Sequence, residues 1–349
     1  MNLEKEPSLS YDDISIKPKR STVESRSNVS LESTLIGDIT VENPVISAPM
    51  DTVTESEMAQ AMHNAGAVGI IHRYLSIDEQ VQEISKVDGV VGTTIGINDG
   101  WKERLTKTVD AGADFVCVDV AHGHMESTLQ VVNETKEMVD VPVMAGNVCT
   151  KEGVKDLILA GADSVKIGVG PGSHCLTREV AGVGIPQVTA VNRAVEVVEV
   201  LQKTELDREI TVIADGGIQK PGDMTKALLL GADAVMVGGM FGGCDESPAR
   251  LIKTESGERY KRTHGMASGE AREDNDIETE EAIEGDSGLI PYSGPAVSVV
   301  EELCAGSRSG LSYIGAHNLE EGQELAEFVR ITPSVTVRNG THGVLNDSK

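Results

Sequence analysis

Basic side chains and aromatic rings are what this sequence has least of. Lys and Arg total 30 against 56 Asp and Glu, a formal charge of −26. A field of that sign repels nucleic acid and anionic lipid, so neither is expected as a partner. The acid excess runs along the whole chain and reads as a surface adapted to concentrated salt, a halophilic trait, because screening there removes the self-repulsion. Aromatic residues are only 3% of the chain, so any core must be built from Val, Ile, Leu and Ala. No apolar run approaches the ~18 residues that a membrane span needs. The opening MNLEKEPSLSYDD carries charge where a secretory signal would be apolar, and a cytoplasmic protein is expected. Five cysteines, Cys117, Cys149, Cys175, Cys244 and Cys304, are an odd set without CxxC spacing, which argues against disulfides and zinc. His63, His72, His264, His317 and His342 lack HxxxH spacing, so no metal site is argued from them. A GxGxxG fingerprint is also missing, and a dinucleotide would have to lie across the fold rather than on a Rossmann unit.

Glycine is plentiful, at 37 residues, and short β-branched runs recur with helical segments between them. Eight such runs stand at 43–50, 67–72, 90–97, 114–120, 141–147, 164–170, 210–217 and 234–239. They predict an α/β protein, a (β/α)8 TIM barrel forming a single domain over residues 1–349, with a doubly wound open sheet as the structural alternative. The runs are apolar almost throughout, as strands buried on both faces should be. A near-repeat, AGAVGII, AGADFVCVD, AGADSVKIG and LGADAVMVG, precedes four of them, its Gly marking the end of a helix. The acidic stretch from Glu270 to Glu284 interrupts the pattern and is expected to be a mobile lid.

Chemistry on such a barrel belongs at the C-terminal ends of the strands. Gly216 and Gly217, and Gly238 and Gly239, would expose backbone N–H groups suited to a phosphate monoester. Asp215 could accept from a ribose diol, or simply form a turn. The loop GPGSHCLTR (170–178) reverses sharply at Pro171 and its flanking glycines, presenting Ser173, Cys175 and Thr177 to the barrel mouth. A cysteine there can add as a thiolate to an electrophilic ring carbon. The other four cysteines read as small buried apolar residues. His174 and Cys175 are neighbours on an extended loop, whose side chains point apart, so no Cys-His pair is expected. Glu284, on composition alone, is one more charge in an acid-rich segment.

GPGSHCLTREVAGVGIPQ resembles the active-site loop shared by IMP dehydrogenases and GMP reductases. LSYDDISIKP, SAPMDTVTE (47–55), DVAHGH (119–124), MAGNV (144–148), IADGGI (213–218), VMVGGM (235–240) and FVRITP (328–333) extend the likeness over almost the whole chain. The resemblance implies that Cys175 attacks C2 of a purine monophosphate, GMP or IMP. It implies that Ser173, Gly217, Gly238 and Gly239 hold the phosphate, Asp215 the ribose, and Met266, Ala267 and Glu284 the base, with Ser47 and Met50 also in the substrate site. Asp119, Ala121 and His122 would face the nicotinamide, and carbonyls of Gly168, Gly170 and Cys175 would hold potassium. A homotetramer is implied as well. Dehydrogenases carry an Arg-Tyr pair in the flap before the base-contacting Glu, whereas here only Arg272 stands between Met266 and Glu284. The flap, at about 266–294, is short, and the paired CBS module of most dehydrogenases is absent. These features favour a GMP reductase using NADPH, with Thr177 and Glu284 as a proton-transfer pair. His122 and His124, and the tail after Thr332, look more like a dehydrogenase using NAD. Leu176 stands where both usually have Thr, and a non-catalytic guanine-nucleotide sensor is the reading from outside enzymology.

Overall fold

The computed structural model describes residues 3–274, 282–332 and 335. Eight parallel strands form its centre: β1 (Val45–Ser47), β2 (Val68–Ile71), β3 (Val91–Ile95), β4 (Phe115–Asp119), β5 (Val143–Val148), β6 (Ser164–Ile167), β7 (Thr211–Asp215) and β8 (Ala234–Val237). Each falls within one residue of an expected run. They pair in chain order, and β8 returns to β1 through Val235↔Val45 and Val237↔Ser47, which closes a (β/α)8 barrel.

The pleat divides each strand between two environments. Ile46, Val68, Ile70, Phe115, Cys117, Met144, Ile213, Ala234 and Met236 cluster together, joined by Leu35, Ile36 and Val41 of an antiparallel hairpin. That hairpin plugs the N-terminal end of the barrel, where Thr211 Oγ1 donates to the Leu35 carbonyl (2.6 Å). The alternate residues, among them Val116, Val118, Val165, Ile167, Val212 and Val235, pack outward with residues of the surrounding helices.

The near-repeat has a physical role in its three Asp-bearing copies. Gly112, Gly161 and Gly231 take φ of 105°, 116° and 103°, a region L side chains avoid, and turn the chain out of its helix. The Asp two residues later accepts an N–H from the first or second residue of the preceding strand. Asp114 takes Val91 (2.8 Å), Asp163 takes Val143 (2.8 Å) and Asp233 takes Val212 (2.7 Å). Lys136 and Arg208 neutralise Asp163, each at 2.7 Å.

After β8 the chain forms a three-stranded antiparallel sheet that the sequence did not suggest: β9 (Arg250–Lys253), β10 (Arg259–His264) and β11 (Ser287–Pro291). A short helix, Gly269–Asp274, follows β10. Residues 275–281 of the expected lid lie outside the described residues, as do His342 and nearly all of the tail after Thr332. The last barrel helix is Ala296–Ile314, and Phe328–Arg330 pairs with Ile14–Ile16. Among the described residues no helix is long and apolar enough to cross a membrane.

Candidate active site

The loop after β6 carries Cys175, and main-chain contacts fix it. Gly168 opens the loop at φ 154°, and a Cβ there would lie 2.1 Å from the Asp215 carbonyl oxygen. Only glycine lets the loop lie this close on β7. Further on, the segment around Glu284 runs beside the loop. The Leu176 N–H donates to the Glu284 carbonyl (2.7 Å), the Asp286 N–H donates to that of His174 (2.9 Å), and Cys175 faces Gly285 in an antiparallel bridge.

This alignment assembles three side chains distant in sequence. Cys175 Sγ donates to Thr177 Oγ1 (3.3 Å), and Thr177 Oγ1 donates to Glu284 Oε2 (2.7 Å). His174 turns away, with Nε2 against Thr263 Oγ1 at 2.9 Å, and burial lowers its pKa. Burial pushes the thiols of Cys117 and Cys149 up, that of Cys244 to about 12 and that of Cys304 to about 11, which keeps all four unreactive.

Cys175, Thr177 and Glu284 line a cavity of about 230 Å³ at the C-terminal mouth. Met50, Ser173, Asp215, Gly217, Gly238, Gly239, Met266 and Ala267 line it too, so the structure gathers most of the expected substrate residues in one place. Among the described residues its wall carries the carboxylates of Asp215 and Glu284 but neither Lys nor Arg, and backbone N–H groups and hydroxyls are the donors these residues offer a bound anion. Ser47 is not brought there. It is wholly buried, and its hydroxyl accepts from Thr54 Oγ1 (2.9 Å), while Ala48 lines the cavity instead.

A second cavity of about 430 Å³ adjoins the first, sharing Met50, Ala121, Asp215, Met266 and Ala267, and is lined further by Arg73, Tyr74, Asn98, Asp119, Lys166 and Arg272. Of the residues expected to face a nicotinamide, Asp119 and Ala121 line it. His122 does not; it is exposed, with its ring 6.5 Å from that of His124. Arg73 stacks on Tyr74 at 4.8 Å, and its buried Nε has no hydrogen-bond partner among the described residues, an arrangement suited to an anionic dinucleotide. Of the carbonyls expected to hold potassium, that of Gly168 accepts from Asn147 Nδ2 at 2.7 Å, which leaves it one further lone pair.

Sequence reasoning missed Lys166, which is 3% exposed and binds Asp119 Oδ1 (2.7 Å), Asp215 Oδ2 (2.6 Å) and Asn147 Oδ1. A lysine inside an apolar strand was the available signal, since such a charge is buried only when paired. It also missed the pair formed by Asp51 and His264, the last residue of β10, 2.8 Å apart.

Comparison with known proteins agrees with this geometry. Residues 8–342 match the family described as IMP dehydrogenase / GMP reductase domain. The chain belongs to that family. It is an oxidoreductase whose relatives use nicotinamide cofactors. It is 36% identical to a GMP reductase of Caenorhabditis elegans over 343 residues, covering 95% of this chain and 94% of that one. It is 31% identical to an inosine-5'-monophosphate dehydrogenase of Nitrosopumilus maritimus, covering 97% and 98%, over an alignment of 476 positions. A structure of a cysteine-to-alanine variant of Trypanosoma brucei GMP reductase in complex with guanosine 5'-monophosphate superposes with a TM-score of 0.91. It is 28% identical and covers 97% of this chain and 98% of that chain.

Proposed function

We propose that this family member is a GMP reductase, which converts GMP and NADPH to IMP, ammonia and NADP⁺. The observation that carries the reading is the relay Cys175–Thr177–Glu284, with links of 3.3 and 2.7 Å, at the wall of the first cavity. Cys175 Sγ passes its proton toward Thr177 and bonds to C2 of the purine. Glu284, through Thr177, carries a proton to the departing C2 amino group, which leaves as ammonia. The second cavity, with Arg73, Tyr74, Asp119 and Arg272 on its wall, would hold the reduced nicotinamide, which when bound would provide the hydride that replaces the amino group at C2. Release of the thiolate then gives IMP.

Asp215 accepts Asn147 and Lys166 on Oδ2, and Oδ1 is the oxygen for the ribose diol. Ser173, Gly217, Gly238 and Gly239 take the phosphate, and Met266 and Ala267 the base. The flap has no Arg-Tyr pair to activate water, which speaks against a hydrolytic second step. The alignment to the nematode reductase, 343 positions long, has no large insert and points the same way, whereas that to the archaeal dehydrogenase runs to 476 positions.

The second reading, IMP dehydrogenase forming XMP with NAD, is favoured by relatives such as that of Aquifex aeolicus, 45% identical over 69% of this chain. One assay separates the readings. Purified protein with GMP and NADPH should consume reduced nicotinamide and release ammonia. Production of reduced nicotinamide from IMP and NAD would make it a dehydrogenase, and GMP binding without either reaction would make it a sensor.

A further inference from the structure

Lys166 lies in β6 between Val165 and Ile167, almost sealed from water. An ammonium so placed costs several kcal/mol unless its charge and its N–H groups are met. Asp119, Asn147 and Asp215 meet them, and they come from the ends of β4, β5 and β7. One side chain therefore ties together four adjacent strands. The two carboxylates differ in address: Asp215 lines both cavities, Asp119 only the second. Neither Lys166 nor Asn147 lines the nucleotide cavity.

We propose that Lys166 is a positioning residue that serves both ligands at once, orienting Asp215 for the nucleotide and Asp119 for the dinucleotide, and so couples occupancy of the two cavities. This rests on the assignment of the two cavities made above. With Lys166 on Oδ2 of Asp215, Oδ1 is left for the ligand. The attraction of both acids keeps the ammonium protonated, so it acts as a fixed charge and not as a proton donor. A ligand that fixes one carboxylate fixes the ammonium and, through it, the other carboxylate. The ordering cost falls on the first ligand, and the second binds more tightly.

The test is calorimetric titration of the full chain with GMP, with IMP and with NADP⁺, singly and as the unreactive pair of GMP with NADP⁺. In Lys166→Met we expect about tenfold weaker binding of nucleotide and of dinucleotide, with the mutual enhancement lost. Lys166→Arg should recover most of both, a rescue that a purely structural role does not require. Lys166→Met combined with Asp119→Asn removes the carboxylate repulsion. It should fold even if the single variant does not, and bind GMP more tightly than Lys166→Met, still without enhancement. The proposal is overturned by a folded Lys166→Met that binds both ligands normally or loses only one. Enhancement that persists in the double variant, or is absent from the unsubstituted chain, overturns it equally. Failure of the unsubstituted chain to bind either GMP or IMP would instead overturn the assignment of the nucleotide cavity, and the proposal with it.

Discussion

A thiol attacks a purine carbon only after losing its proton, and Thr177 is the nearest group that Cys175 has to give it to. Cys175→Ser should abolish turnover in either direction while leaving nucleotide binding measurable, because an alkoxide is far harder to form than a thiolate. Glu284→Gln keeps the length of the side chain but cannot carry the proton. We expect kcat to fall roughly 10²-fold or more with little change in nucleotide affinity, and full activity in this variant would remove Glu284 from the chemistry. Cys175 and Thr177 were legible because GPGSHCLTR concentrates turn-formers around a single cysteine, whereas Glu284 came only from the family resemblance. Ser47 was misplaced because a motif was read as a block, when strand alternation sends successive side chains to opposite faces. Lys166 stayed hidden inside an apolar run, since its partners lie 19 to 49 positions away and only the closed barrel brings them near.

Among the elements, the barrel strands were readable since both of their faces are buried and their composition says so. The flap sheet was not. β11 reads SGLIP, with Gly and Pro where strands avoid them, and β10 reads RYKRTH, which is polar enough to pass for a loop. Burial raises Asp233 to about 7 from 3.8. The folded state thus holds this proton more tightly than the unfolded chain does. The associated stability is complete below about pH 4, declines as the pH rises, and is gone above about 7, a span worth a few kcal/mol. Asp233→Asn still offers an oxygen to the Val212 N–H but cannot titrate. The difference in urea midpoint between the two proteins should therefore shift in favour of the variant from pH 4 to 7, and a constant difference would show that Asp233 does not carry the effect.

At the scale of the whole molecule, closure of β8 on β1 lay beyond any local pattern, since runs of apolar residues look alike in barrels and open sheets. The charge of −26 acts globally as well. Added salt should raise the thermal midpoint and strengthen binding of anionic nucleotide, because the screening length falls to roughly 3 Å near 1 M. Melting curves and GMP titrations across a KCl series would measure both, and a midpoint that drops with salt would contradict the reading of the surface. The backbone seam between residues 174–176 and 284–286 has a consequence of its own. Anything that lifts the second segment away parts Glu284 from Thr177, so the relay from the sulfur is complete only while these two stretches of main chain stay zipped together.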